Sequence, residues 1–211
     1  TLSATTGQAF LNRHRDQAVA AAFREQWLTA LAKREDWPTY RAAWSALVKS
    51  TALRCAELNA RQALGVTNAD WTSGAQALWR STGKSLPNEC DAPMAILAAH
   101  GGLEPALRWE RIEKAAAELQ PGVMRAAARG LPAADFALAN DYAAFVESVH
   151  DRALDWPKTP RSRLIASYGL MIHAGGRDRL KAGVQYVVFN LVGSTLFLFA
   201  LATVYSVTGT L

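Results

Sequence analysis

The chain has 211 residues, which suits one domain of ordinary size, alone or with an appendage. Its net charge of +5 is spread along the chain, and because phosphate binding needs Lys and Arg clustered on one face, nucleic-acid binding is not predicted. Residues 1–163 hold 20 of the 23 Lys and Arg and 17 of the 18 Asp and Glu, whereas residues 182–211 hold no charge. The chain therefore divides into two segments of different character.

Residues 1–163 are predicted to form an all-α domain. Ala, Leu, Glu, Arg and Lys dominate, and apolar residues recur at helical spacing, as Phe23, Trp27 and Leu31 do. Pro and Gly interrupt this pattern every 10 to 18 residues or so, where helices begin and end. Short helices with short connections predict antiparallel hairpins stacked as a superhelix or a bundle. The first ten residues lack the basic and apolar regions of a secretion signal, so none is expected in this sequence.

Residues 164–183 are predicted to be a junction with a glycine turn and a basic loop that contains Arg177, Arg179 and Lys181. Residues 184–211 are predicted to form a long hydrophobic helix. The 24 residues from 184 to 207 carry no charge, and about 20 suffice to span a bilayer. Thirteen of them are Val, Leu or Phe, which favour insertion by about 4 to 8 kcal/mol. A membrane partner is therefore expected through residues 184–207.

Few side chains suggest chemistry. Cys55 and Cys90 are the only cysteines, and without CxxC or Cys/His spacing they are either buried thiols or a disulfide. The turn STGKS at residues 81–85 ends like a phosphate-binding loop, but Leu78 stands where that loop needs glycine, so nucleotide binding is excluded. The four His share no ligand spacing. No metal, cofactor or catalytic residue is predicted, and the seven Trp are expected in the core rather than in a carbohydrate groove.

Residues 10–163 resemble the N-terminal helical domain of soluble lytic murein transglycosylases. The resemblance lies in ALWRSTGKSLPNECD at residues 77–91, in PALRWERI at residues 105–112, and in LRCA at residues 53–56. It implies a disulfide between Cys55 and Cys90 and a periplasmic, all-helical part of a ring that encircles peptidoglycan strands. The residues that would contact glycan are not predicted.

The catalytic motifs of that family are not expected to function here. The resemblance implies that catalysis belongs to a separate lysozyme-like domain, where the Glu of a Glu-Ser pair acts as acid and then as base. Glu147-Ser148 and Gly169-Leu170-Met171 imitate two of its motifs. Ile172 replaces the Gln that follows Gly-Leu-Met in that family, and the interval of 22 residues from Glu147 to Gly169 is too long. A non-catalytic scaffold domain that binds or encircles glycan strands is therefore predicted.

From Leu164 onward the chain resembles the D subunit of multi-subunit Na+/H+ antiporters. LIASYGLMIH at residues 164–173, the basic loop, and residues 184–211 carry this resemblance. The position of the family's proton-path Glu falls just before Leu164, where this chain has PRSR, and the family's membrane Lys residues would lie beyond Leu211. A fragment of an antiporter membrane subunit is therefore the alternative function, and a generic helical interaction module is the third.

The two segments favour opposite sides of a membrane. Basic residues beside a span stay in the cytoplasm, whereas the first resemblance implies the periplasm. We therefore hypothesise a chimera joined between Arg163 and Ser167, where charge, Trp content and family change together. The expected location is periplasmic with membrane association.

Overall fold

The computed structural model describes residues 3–173 and 176–209, and within these residues all regular structure is helical. The predicted all-α class is thereby confirmed. The α-helices are α1 (Ala4–Arg13), α2 (Ala18–Lys33), α3 (Trp37–Ala43), α4 (Thr51–Ala63), α5 (Ala69–Arg80), α6 (Asp91–Ala99), α7 (Pro105–Ala117), α8 (Pro121–Ala128), α9 (Ala133–Glu147), α10 (Pro160–His173) and α11 (Gly176–Thr208). Two 3₁₀ helices cover Asn88–Cys90 and Asp151–Asp155.

The helix starts follow capping chemistry that is legible in the sequence. The side chains of Ser3, Asp36, Ser50 and Asn68 each accept a hydrogen bond from an N–H in the first turn of the helix that follows. Both α7 and α8 begin at a proline, where the missing N–H costs nothing. These caps and prolines explain why these helices begin where they do.

The chain divides into two compact units after Asn140, within α9. The sequence-defined segments 1–163, 164–183 and 184–211 use other boundaries and stay a prediction. In the first unit, α2, α3 and α4 enclose a core of aromatic and aliphatic side chains that includes Leu28, Leu31 and Tyr40. The Tyr40 hydroxyl donates to the carbonyl oxygen of Leu53 at 2.7 Å, so the one polar atom of this buried ring is satisfied.

The second unit packs α10 against the end of α9. Tyr142, Phe145, Trp156 and Ile165 are buried there, and the Tyr142 and Ser162 hydroxyls share a hydrogen bond of 2.7 Å. Gly169 faces the Phe145 ring, and a Cβ at this position would lie 2.6 Å from ring carbons. Gly169 therefore serves close helix packing.

The long apolar helix is present, with a different start. α11 has 33 residues and begins at Gly176, so residues 176–183, expected in the basic loop, lie in its first turns. Arg, Leu, Lys and Ala, which favour helix, make up most of residues 177–182 and no Pro interrupts them, which explains the extension. The expected glycine turn at 174–175 lies outside the described residues. Among the described residues, Leu191–Thr208 is long and apolar enough to cross a membrane, with a mean hydropathy of 1.8 and no part of it buried.

Candidate functional site

The first unit has an open groove of about 510 Å³ between α2, α3 and α4. Trp37, the first residue of α3, is half-buried at its edge, and Asn59 and Gln62 from α4 supply amide groups. Lys33 and Glu35 are exposed at the end of α2 and add one charge of each sign. Small alanine side chains of α4 widen the groove between these polar groups.

The disulfide holds one wall of the groove in place. Cys55 in α4 and Cys90 at the end of the first 3₁₀ helix are bonded, with their Cα atoms 4.9 Å apart. The side-chain N–H of Asn59 donates to the Glu89 carbonyl oxygen at 2.9 Å and ties the same two elements together. The groove therefore depends on a contact between segments that are 35 residues apart in sequence.

The groove has the chemistry of a binding site. An aromatic face packs on the apolar face of a sugar ring, and amides can donate to and accept from its hydroxyls. Its carboxylates, Glu35 and Glu89, are exposed to water, whereas a glycosidic general acid sits in a desolvated pocket. The groove therefore offers an aromatic face and amide groups to a polar ligand.

A second, smaller cavity of about 220 Å³ lies beside α4. Glu57 lines it and is only 8% exposed, and its carboxylate is paired with Arg41 of α3 and lies 4.0 Å from the Nε of Arg61. Burial nevertheless raises the pKa of the Glu57 carboxyl above its ordinary value, because desolvation outweighs the attraction of the two guanidinium groups. Arg54 and Trp44 also line this cavity.

The STGKS turn is held by α7 and does not form a phosphate cradle. The Gly83 N–H donates to the Glu118 carboxylate at 3.0 Å, so this carboxylate already occupies the position that a bound phosphate would take. Arg111 donates to the carbonyl oxygens of Trp79, Thr82 and Lys84 at 2.5, 2.9 and 3.0 Å. These hydrogen bonds give the turn a structural role.

The sequence analysis missed the role of Arg111 and Glu118. Arg111 is 4% exposed, and its guanidinium also stacks over the Trp79 ring at 4.8 Å from the centroid. Burial lowers the pKa of this guanidinium. The only signal for the pair was an Arg on α7 and a Glu directly after it, downstream of a Gly-containing turn, and this pattern is too common to be specific.

Five of the seven Trp are buried, as the core interpretation predicts: Trp27, Trp71, Trp79, Trp109 and Trp156. Trp71 and Trp79 donate from Nε1 to the carbonyl oxygens of Leu58 and Leu107, at 2.9 and 3.0 Å. Trp37 and Trp44 are the exceptions, since both are half-buried at the surface. Only Trp37 lines the larger groove.

The remaining candidate residues are dispersed. Glu147 ends α9 and Gly169 packs within α10, and nothing in the described residues places a cleft between them. His14 is hydrogen-bonded to Gln17, and His173 to the carbonyl oxygen of Val146. In the part of the chain that the structure describes, no group of His, Cys, Asp and Glu is arranged to hold a metal ion.

Two sets of known proteins are similar to this chain, over different parts of it. The "Soluble lytic murein transglycosylase" of Salmonella typhimurium is 33% identical over 114 residues, which are 54% of this chain and 17% of that protein. The Escherichia coli protein of the same name is 32% identical over the same lengths. Each match spans less than a fifth of the relative's length.

Solved structures extend this likeness to the fold. The 70-kDa soluble lytic transglycosylase of Escherichia coli matches with a TM-score of 0.65 and 26% identity, covering 81% of this chain and 28% of that one. The lytic transglycosylase Slt of Pseudomonas aeruginosa matches with a TM-score of 0.62 over 88% of this chain and 30% of that one, at 22% identity, and shows likeness of fold alone. The chain spans less than a third of these structures.

The second set concerns the C-terminal residues. A family model described as the transmembrane part of the NADH:quinone oxidoreductase/Mrp antiporter proteins matches residues 162–211. The D subunit of a probable K(+)/H(+) antiporter of Rhizobium meliloti is 48% identical over 48 residues, 23% of this chain and 9% of that protein. Both resemblances found in the sequence are thus confirmed: the chain is similar to soluble lytic murein transglycosylases over most of its helical part and to antiporter D subunits from residue 162 onward.

Proposed function

We propose that residues 1–163 form a non-catalytic scaffold domain that binds peptidoglycan glycan strands. The observation that carries this proposal is the groove of about 510 Å³, which is lined by Trp37 and by the amide side chains of Asn59 and Gln62. The likeness to proteins that are named for acting on murein supplies the ligand class. The exposed carboxylates of the groove support a binding role without bond cleavage.

The disulfide supports a periplasmic location for this domain. A Cys55–Cys90 bond persists in an oxidising compartment and is reduced in the bacterial cytosol. The apolar stretch Leu191–Thr208 has the length and composition of a membrane anchor. We expect the chain to be periplasmic and associated with the inner membrane through this stretch.

Co-sedimentation with purified peptidoglycan tests the proposed binding. Trp37→Ala removes the aromatic face of the groove, and we expect it to weaken binding about fivefold to tenfold. A loss of this size is what one aromatic contact contributes in addition to the burial of its surface area. Phe136→Ala is the matched control, because Phe136 is an aromatic side chain that is 42% exposed and does not line the groove. Equal binding by both variants would contradict the proposal.

Incubation with the same purified peptidoglycan tests the absence of catalysis. We expect the turbidity of the cell-wall suspension to stay constant, and no anhydro-muropeptides to be released, after prolonged incubation with the full chain. Clear lysis by pure protein would refute the non-catalytic role. A Trp37→Ala sample run in parallel shows whether any lysis requires binding in the groove.

A membrane transport component is the second candidate, favoured by the family match at residues 162–211. Residues 162–211 do not contain the Glu and Lys proton carriers that the resemblance implies, so we expect no ion flux from this segment alone. Proteoliposomes with an internal pH dye measure this directly. A cation-dependent pH change above that of empty liposomes would favour transport over glycan binding.

We further propose that the chain joins two unrelated segments near residues 163–167. The antiporter match begins at residue 162, while the relatives of the helical part belong to a different protein class. Peptide mapping of native material over residues 158–181 tests this. A continuous natural peptide recovered in quantity across the junction would contradict a chimera.

A further inference from the structure

The smaller cavity beside α4 is lined by one guanidinium group, that of Arg54, with which no acidic side chain of the described residues forms an ion pair. Arg54, Glu57 and Arg61 share one face of α4, at positions i, i+3 and i+7, and Arg41 faces Glu57 from α3. Arg41 and Arg61 are the two that interact with Glu57, while Arg54 makes no ion pair within residues 3–173 and 176–209.

The cavity favours the end of a small ligand over a sugar ring. Its volume of about 220 Å³ is less than half that of the larger groove and lies below the usual range for whole small-molecule ligands. Trp44 stacks on Tyr40 with ring centroids 6.0 Å apart, which fixes the indole that forms one wall. Ala46 and Val48 contribute an apolar side. A single charged group with a few adjoining atoms fits these dimensions.

Guanidinium groups bind planar oxyanions through paired N–H donors, and they do so more strongly where water is partly excluded. Glu57 keeps Arg41 and Arg61 in position, so the one guanidinium left for a ligand is that of Arg54. A cationic ligand is disfavoured by the surplus of positive charge. A neutral ligand would leave the Arg54 charge without a partner.

We propose that the cavity lined by Arg54, Glu57 and Trp44 is a carboxylate-binding site for short acidic peptides. The choice of peptide rests on the proposed function, since peptidoglycan strands carry short peptides with free carboxylates. The larger groove and this cavity border different faces of α4, through Asn59 and Arg54 respectively. A strand held in the groove and a peptide held in the cavity would therefore be bound by the same helix.

Ligand-observed NMR titration of the full chain in a polyoxyethylene detergent tests the site. The probe is the dipeptide L-Ala-D-Glu, which has two free carboxylates, compared with its fully amidated form. We expect the diacid to bind, and Arg54→Gln to raise its Kd about tenfold through loss of one charge-assisted contact. Arg54→Lys, which keeps the charge, should recover part of the affinity. Binding of the amidated probe as tightly as the diacid would overturn the proposal.

Matched controls separate this site from general charge and from the larger groove. Arg13→Gln removes an exposed charge of α1 and should leave the peptide Kd unchanged, so an equal loss in this variant would overturn the proposal. Inorganic phosphate is the competing oxyanion, and displacement of the peptide by equimolar phosphate would overturn the assignment to carboxylates. Binding of a neutral chito-oligosaccharide, measured on the same samples, reports the larger groove alone. Its failure counts against the proposed function and leaves the peptide result standing.

Discussion

Arg111 and Glu118 hold the STGKS turn in complementary ways, Arg111 as a hydrogen-bond donor and Glu118 as an acceptor. The guanidinium donates to three carbonyl oxygens, and the carboxylate accepts the Gly83 N–H. Both side chains satisfy backbone groups that would otherwise be left without partners at the end of α5. Gly83 is needed because a Cβ there would lie 2.3 Å from the Lys114 carbonyl oxygen. The most specific motif of the sequence is therefore a packing motif.

Gly83→Ala should destabilise the first unit. The new methyl group meets backbone of α7, which cannot rotate away, so we expect a loss of about 1 to 3 kcal/mol in the free energy of unfolding. Gly122→Ala is the matched control, because a Cβ there meets nothing within 4 Å. It should be neutral or stabilising by up to about 1 kcal/mol. Urea unfolding of both variants measures the difference, and an equal effect would contradict the close approach at Gly83.

Glu57 should make stability depend on pH. Its pKa is raised in the folded chain by burial, so folding favours the protonated carboxyl. The stability that this preference contributes is fully present below the ordinary pKa and is lost as pH rises through the raised folded value. Relative to Glu57→Gln, the wild type should therefore lose stability as pH rises from about 4.5, where the carboxyl of the unfolded chain titrates.

Thermal unfolding of wild type and Glu57→Gln between pH 4 and pH 8 measures this difference. Glu110→Gln serves as the control, because the Glu110 side chain is 50% exposed and forms an exposed ion pair with Arg80. A wild type that gains stability over Glu57→Gln with rising pH would show that Arg41 and Arg61 outweigh burial.

At the scale of elements, α4 organises the first unit. Its two polar faces border the two cavities, its apolar face joins the core, and Cys55 attaches it to the 3₁₀ helix before α6. The sequence predicted helices in this region from composition and apolar spacing, and in the structure the Ser50 side chain caps α4. Sequence could not show which face borders a cavity, because that depends on where α3 and α6 pack.

Loss of the disulfide should destabilise the first unit by about 3 to 4 kcal/mol. The bond closes a loop between residues 35 apart, and opening it restores chain entropy to the unfolded state. Urea unfolding of a Cys55→Ala, Cys90→Ala double variant measures the loss without added reductant. Reduction of the wild type should lower stability to the same level, and a much smaller effect of reduction would indicate that the thiols are free in the native protein.

At the scale of the whole molecule, the core of the first unit and the C-terminal helix α11 have different surfaces. The first unit buries its large apolar side chains in a core, whereas the described apolar side chains between Leu191 and Val207 are exposed. Exposed apolar surface of this extent requires a partner, and 18 residues of helix match a bilayer in length. Both the exposure of these side chains in the structure and the hydropathy of the sequence therefore indicate that α11 needs an apolar environment.

Two aspartates in α11 should release the chain from membranes. Leu196→Asp with Leu198→Asp costs roughly 5 to 7 kcal/mol of insertion free energy at the centre of a span. We expect the wild type to resist carbonate extraction and the double variant to appear in the soluble or aggregated fraction. Val149→Asp with Leu154→Asp changes two exposed apolar residues outside α11 and should leave the fractionation unchanged. Extraction of the wild type by carbonate would contradict membrane insertion.

The sequence by itself determined the all-α class, the apolar helix and the two resemblances, because all three depend on local propensity or on residue order. Tertiary structure decided the rest. Trp37 could not be distinguished from the five buried Trp until α3 was placed against α4, and Arg111 acquired its role only when α7 met the STGKS turn. Exposure and hydrogen-bond partners arise from contacts between distant residues, which spacing along the chain does not encode.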